Sequence, residues 1–206
     1  MLPKIMVFDL GKVLVDFDYG IAAANLAPRC AISAGEIRQG MNQVDLLLRY
    51  ERGQISTPEF FAEFCRLTGY HGTLAEFGPV FGAIFTAIEP MVQLHQKVRA
   101  RGLPTWIFSN TNELAVEHIR RAFAFFRQFE GYIYSYTEGC MKPEPGMYEA
   151  LEARSGCAGA EIVYIDDRPE NIATAAARGW RGLVHETPVK TIAQVLALVD
   201  GPTPGV

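Results

Sequence analysis

Long apolar runs are missing from this chain: none approaches the roughly 18–20 residues that a membrane span needs. An excess of positive charge is missing too, since 19 Lys and Arg stand against 23 Asp and Glu for a formal net charge of −4. That balance argues against the polycationic footprint of a nucleic-acid or anionic-lipid binder. Only four cysteines occur, Cys30, Cys65, Cys140 and Cys157, without C-x-x-C or zinc-ligand spacing. Neither a disulfide framework nor a zinc site is therefore predicted. His71, His95, His118 and His185 are scattered and form no H-E-x-x-H pair. The N-terminal stretch lacks the apolar core and small-residue cleavage site of a signal peptide. Repeats and low-complexity segments are absent as well. The expectation is a cytoplasmic protein, a monomer or small homo-oligomer, whose partner is a small molecule and neither nucleic acid nor membrane.

What is present is an ordinary globular composition, 49% hydrophobic and 20% charged over 206 residues. That length suits one elaborated domain or a domain carrying an insertion. Short β-rich runs at 5–8, 105–108, 132–134, 162–165 and 183–184 are apolar without polar alternation, as expected of parallel strands covered on both faces. From residue 90 onward they alternate with helical spacings: Met91, Leu94 and Val98, then Ala115, Ile119, Ala122 and Phe126, then Ile192, Val195, Leu196 and Val199. This order predicts an α/β fold with a Rossmann-like parallel sheet. The tail at 201–206 is expected to fray.

Residues 18–88 read differently, with no convincing strand and several helix starts. Ser33-x-x-Glu36 and Thr73-x-x-Glu76 match the capping box, and Thr57-Pro58-Glu59 offers an N-cap followed by proline. Phe60, Phe64 and Leu67 form one apolar stripe; Phe77, Phe81, Ile84 and Ile88 form another. The predicted division is a core of 1–17 and 89–206 with an inserted helical block at 18–88.

Ligands of an open parallel sheet bind beyond the carboxyl ends of its strands. Asp9 follows the first strand, Ser109-Asn110 the second, Lys142-Pro143 precedes a later helix, and Asp166-Asp167 follow the fourth strand. Each alone is more often a cap, turn or solvated loop residue, but all four converge on one sheet edge. Together they suit phosphoryl transfer. Asp9 can attack as a carboxylate nucleophile, and Asp9 with Asp167 offers hard oxygens for Mg²⁺. Ser109 and the Asn110 backbone N–H can hold phosphoryl oxygens, and Lys142 can neutralise their charge while orienting Asp9.

Through these four ordered motifs the chain resembles the haloacid dehalogenase superfamily, whose members are mostly phosphatases. The resemblance implies an aspartyl-phosphate intermediate on Asp9, catalytic roles for Ser109 and Lys142, and substrate contacts from Ser109, Asn110 and Lys142. It also implies Mg²⁺ on Asp9, Asp167 and the Gly11 carbonyl, supported by Asp166 and Asn171, and a C1-type helical cap at 18–88. A small phosphorylated metabolite is the expected substrate. One departure is notable: the family's first motif usually carries a second Asp as general acid, and Gly11 stands there instead. The motif and the segment at 50–56 resemble a bacterial branch that includes an α-D-glucose-1-phosphate phosphatase, whose leaving oxygen needs less protonation. Two alternatives are a metal-free dehalogenase using Asp9 and a phosphate-binding pseudoenzyme. If only the acid is missing, Gly11→Asp should help, or at least not hurt, slow alkyl phosphates. Weaker candidates are Arg168, which can equally pair with Glu170, Asp16, Asp18 and Tyr19 at the hinge, and Asp45, Arg49 and Tyr50 on a cap helix. Cys140 and Trp180 are read as packing.

Overall fold

The structure is a computed structural model that describes residues 2–43 and 45–199; the tail at 201–206 lies outside them. Five strands form one parallel sheet: β1 (Ile5–Phe8), β4 (Thr105–Ser109), β5 (Gly131–Tyr134), β6 (Ile162–Asp166) and β7 (Arg181–Val184), ordered β5-β4-β1-β6-β7. All five expected runs are strands. The central ones are buried throughout because helices cover both faces. Period-two alternation sorts the side chains. Met6 and Phe8 join Ile107, Val163 and Ile165 in one cluster; Ile5 and Val7 join Phe108, Ile133 and Tyr164 in the other. The first face is covered by α6 (Glu89–Ala100), α7 (Glu113–Ala122) and α11 (Pro188–Val199), through Met91, Ile119 and Val195 among others. The second is covered by α9 (Pro145–Ser155) and α10 (Pro169–Ala177), through Met147, Leu151 and Ala175. A one-turn helix, α8 (Ser135–Glu138), links β5 to α9.

Among the described residues, five α-helices fill the insertion: α1 (Tyr19–Leu26), α2 (Ala34–Gln43), α3 (Asp45–Glu51), α4 (Thr57–Thr68) and α5 (Leu74–Gly82). They bury an aromatic core of their own, in which Phe77 stacks on Phe81 at 5.3 Å and Tyr50 on Phe60 at 4.4 Å. Leu114 of α7 also packs into it, so this block and the sheet layers share a boundary.

Local signals misread four details, one being the stripe Phe77, Phe81, Ile84 and Ile88: α5 ends at Gly82, so Ile84 lies beyond it and Ile88 precedes α6. A two-stranded antiparallel ribbon, β2 (Val15–Phe17) with β3 (Phe85–Ala87), connects the helical block to the sheet, where no strand was expected at 85–87. Three residues are too few for a period to register, and pairing partners so distant in sequence leave no local trace. Ser56, not Thr57, caps α4, because Glu59 reaches back to the Ser56 N–H at 2.7 Å and completes a capping box. Leu67 is exposed rather than part of the Phe60–Phe64 stripe. The boxes at Ser33–Glu36 and Thr73–Glu76 form as predicted. Among the described residues, no helix is long and apolar enough to cross a membrane.

Candidate active site

Strand register assembles the site. Phe8 is level with Ile107 on one side and Ile165 on the other. One residue further, Asp9 therefore emerges beside Phe108 and Asp166, at the carboxyl edge of the sheet. Asp9 is 8% exposed. Its Oδ1 accepts from the Leu10 N–H at 2.7 Å and lies 3.0 Å from Lys142 Nζ.

Lys142 is 4% exposed and reaches in from the loop before α9. Its ammonium donates to Asp166 Oδ2 at 2.7 Å, to the Phe108 carbonyl at 2.8 Å and to the Tyr164 hydroxyl at 3.1 Å. The Asn110 side chain clamps the lysine's own backbone: Lys142 N–H donates to Asn110 Oδ1 at 2.8 Å, and Asn110 Nδ2 donates to the Lys142 carbonyl at 3.0 Å. A buried ammonium survives only when paired and hydrogen-bonded, and here two carboxylates and a carbonyl surround it. Those carboxylates raise the Lys142 pKa against the downward push of burial.

Asp166 is fully buried and turned away from solvent. Besides Lys142 it accepts from the Tyr164 hydroxyl, from the Arg168 N–H at 2.8 Å and from Asn171 Nδ2 at 3.0 Å. Burial opposes its charge, but Lys142 and these donors hold its carboxyl below the usual carboxylate range. Asp167 faces the other way and is half-buried, its carboxyl pushed up by burial and by the adjacent Asp166 charge. Burial also pushes the Asp9 carboxyl up, against the pull of Lys142. Asp9, Asp166 and Asp167 offer oxygens all within 4.8 Å of one another, and Asn171 Oδ1 is buried beside them without a partner. Hard oxygens at this separation, with an orphaned acceptor next to them, suit a small hydrated cation.

Above the acids lies a cleft of about 300 Å³, lined by Asp9, Gly11, Asn110, Lys142, Asp167 and Asn171 from the sheet side. A narrower recess of about 50 Å³ adds Ser109, Thr111 and Asn112. Ser109 is buried, with its hydroxyl 3.3 Å from the Asn110 carbonyl. Gly11 leaves room for an aromatic ring, since a Cβ there would stand 3.0 Å from Phe17 Cε1.

The weaker candidates separate. Tyr19 lines the cleft. Asp18 instead caps α1 through the Gly20 N–H at 2.7 Å, and Asp16 pairs with Lys12. Asp45 is exposed, Arg49 lies 3.4 Å from Glu63, and Tyr50 is buried with its hydroxyl accepting from the Leu114 N–H at 3.2 Å. Arg168 reaches the cleft rim, but its Nε donates to Glu170 at 2.8 Å. Cys140 is partly buried against the second sheet cluster. Trp180 is buried, its indole N–H donating to Glu152 at 2.8 Å. Sequence reasoning passed over Leu47 and Glu51, which line the cleft from α3, and Lys12 at its rim. The i, i+4 spacing of Leu47 and Glu51 was a signal that they share a helix face; which face looked at the sheet was not.

Similar sequences and folds are found among known proteins. A mouse protein named acyl-CoA dehydrogenase family member 10 is 25% identical over 97% of this chain, which spans only 19% of that relative's length. A sesquiterpene phosphatase from Aspergillus oryzae is 23% identical, with 95% of this chain and 96% of that one covered. A HAD family enzyme from Bacteroides thetaiotaomicron, solved in complex with magnesium and inorganic phosphate, superposes with a TM-score of 0.75 at 22% identity, covering 88% of this chain and 93% of that chain. At that identity the superposition speaks for the fold. The model of the haloacid dehalogenase-like hydrolases matches residues 3–179, and the chain belongs to that family of hydrolases.

Proposed function

We propose that this hydrolase is a Mg²⁺-dependent phosphomonoesterase that works through an aspartyl-phosphate on Asp9 and acts on a small phosphorylated metabolite. Among such substrates, a sugar phosphate such as glucose 1-phosphate is assigned first. The observation that carries the reading is the division of labour among the acids. Asp166 is consumed by Lys142, Tyr164 and Asn171, while Asp9 and Asp167 face the cleft. In this reading Asp9, Asp167 and the Gly11 carbonyl hold Mg²⁺. The ion, when bound, supplies positive charge that favours the ionised nucleophile and offsets phosphoryl charge.

The remaining steps belong to this chain's own residues. With Oδ1 of Asp9 held by Lys142 and the Leu10 N–H, Oδ2 is the oxygen that attacks phosphorus. Lys142 balances the charge that gathers on the phosphoryl oxygens. The Ser109 hydroxyl and the Asn110 backbone bind those oxygens, and the Asn110 side chain keeps Lys142 in place. We assign residues 18–88 as the cap and 1–17 with 89–206 as the core; the cap limits water in the cleft until the leaving group has departed.

Turnover of p-nitrophenyl phosphate tests this reading. Activity should require Mg²⁺, disappear with a chelator and return on adding the ion, and Asp9→Asn should abolish it. Turnover by the Asn variant would remove Asp9 as nucleophile. Halide release from a 2-haloacid that ignores the chelator would instead establish the dehalogenase, and phosphate binding without turnover the pseudoenzyme.

A further inference from the structure

An alkoxide is a poor leaving group at neutral pH, and a positioned proton donor is worth roughly 10²–10⁴-fold in its departure. Gly11 has no side chain to offer, so a side-chain donor for an alkoxide leaving group has to come from elsewhere on the cleft wall. Among the described residues, the titratable side chains lining the cleft can be taken in turn. Asp9 and Lys142 are paired with each other, and Asp167 belongs to the acid cluster. Lys12 is tied to Asp16, and Arg168 to Glu170. The Tyr19 phenol is pushed up by burial, which makes it too weak an acid. Glu51 is left, a carboxyl facing both the main cleft and the recess that holds Gly11 and Ser109.

We propose that Glu51, delivered by α3 of the helical insertion, is the general acid and base of this hydrolase in place of a side chain at position 11. This rests on the phosphatase reading above. Glu51 is held between anchors on its own helix end. Tyr50 accepts from the Leu114 N–H, Arg52 pairs with Glu144, and Gly53 abuts the Tyr136 carbonyl with a φ of 66°. Each of those partners belongs to the sheet-bearing layer, so the carboxyl is located relative to Asp9 and not merely relative to the insertion. The Asn112 side chain caps α7 by accepting from the Ala115 N–H at 3.0 Å, and its attraction for the ionised Glu51 carboxylate partly opposes the effect of burial. Burial pushes the Glu51 carboxyl up to about 7, a value suited to giving and taking a proton at neutral pH.

The step balances. As the Asp9 oxygen bonds to phosphorus and the phosphorus–oxygen bond to the leaving group breaks, the Glu51 proton passes to the departing oxygen. The alcohol leaves neutral and Glu51 becomes a carboxylate. It then takes a proton from the water that attacks the phosphorus of the aspartyl-phosphate, returning Asp9 as carboxylate, Glu51 as acid and inorganic phosphate as product. With a donor present, substrates need not be confined to phosphates with acidic leaving groups.

The test is Glu51→Gln in the Mg²⁺-loaded enzyme, with glucose 6-phosphate and p-nitrophenyl phosphate compared side by side. Loss of the acid should lower kcat for the alkyl phosphate by about 10²-fold or more, and far less for the nitrophenyl ester. An equal loss with both, a rise in KM alone as expected of a group that only binds sugar hydroxyls, or no loss overturns the proposal. A leaving-group series on the wild type serves if the variant does not fold. kcat/KM should depend weakly on the pKa of the leaving alcohol or phenol; a steep dependence overturns Glu51 as acid while leaving the phosphatase intact. Failure of the wild type on every ester overturns the phosphatase reading, and this inference with it.

Discussion

Lys142 is almost wholly buried and depends on the two carboxylates beside it, Asp9 at 3.0 Å and Asp166 at 2.7 Å. Removing one partner of a buried charge cluster costs about 3–5 kcal/mol, because the others are left uncompensated. Lys142→Met should therefore unfold at lower denaturant and lose turnover. The deficit should shrink in acid. Asp166 is held below its ordinary value of 3.8, so its contribution in the wild type is present above that pH and lost below it. A deficit that does not change with pH would argue against this account. Gly11 makes a second prediction at this scale. From sequence, Gly11→Asp should help, or at least not hurt, slow alkyl phosphates, but the new Cβ would meet the Phe17 ring at 3.0 Å. The substitution alone should lower Tm by about 2–4 °C for each kcal/mol of crowding, and Phe17→Leu should restore it. Only the double variant is a fair test of an acid at position 11.

At the scale of elements, α6 docks on the sheet through a histidine without solvent. His95 is fully buried, stacks on Phe129 at 3.9 Å and meets the Thr105 hydroxyl at 3.0 Å through Nε2, while Nδ1 has no partner. Burial, reinforced by Arg99, pushes its pKa from 6.5 down to about 4. The folded state thus binds the proton less readily than the unfolded chain. The stability His95 contributes is complete above 6.5 and lost progressively as pH falls toward about 4. His95→Leu should flatten that slope in the difference between wild-type and variant denaturation curves, and identical slopes would exclude it. Elements of this kind were legible in the sequence. Continuous apolar runs marked all five sheet strands, and capping boxes marked α2 and α5, because both signals are local. The β2–β3 ribbon was not, since its strands are three residues each and pair across the whole insertion.

At the scale of the molecule, the insertion meets the sheet layers along α5 against α7 and through specific contacts around α3. Gly53 is the tightest. Its φ is 66°, and a Cβ would stand 2.1 Å from the Tyr136 carbonyl oxygen. Neither the conformation nor the space admits another residue. Gly53→Ala should cost about 1–3 kcal/mol, the range of a strained backbone position, and should raise KM as α3 is displaced from the cleft. Thermal unfolding with steady-state kinetics reads both, and an unchanged KM would mean that α3 does not set the cleft wall.

The residues at the ends of β1, β4 and β6 could be placed at one edge from sequence alone because parallel strands must deliver whatever follows them there. That Asp9, Ser109 with Asn110, and Asp166 with Asp167 share one sheet edge was therefore legible without coordinates. Tertiary structure alone decided how they divide. Asp166 is buried under Lys142 while Asp167 looks into the cleft, although the two are neighbours in the chain, because successive residues leaving a strand point to opposite sides. It also decided which residues of α3 line the cleft. Asp45, Arg49 and Tyr50 were as eligible as Glu51 until Tyr50 was buried beneath Leu114 and Thr57, which turned Leu47 and Glu51 toward the sheet. Helix periodicity specifies which residues share a face; only packing chooses where that face points.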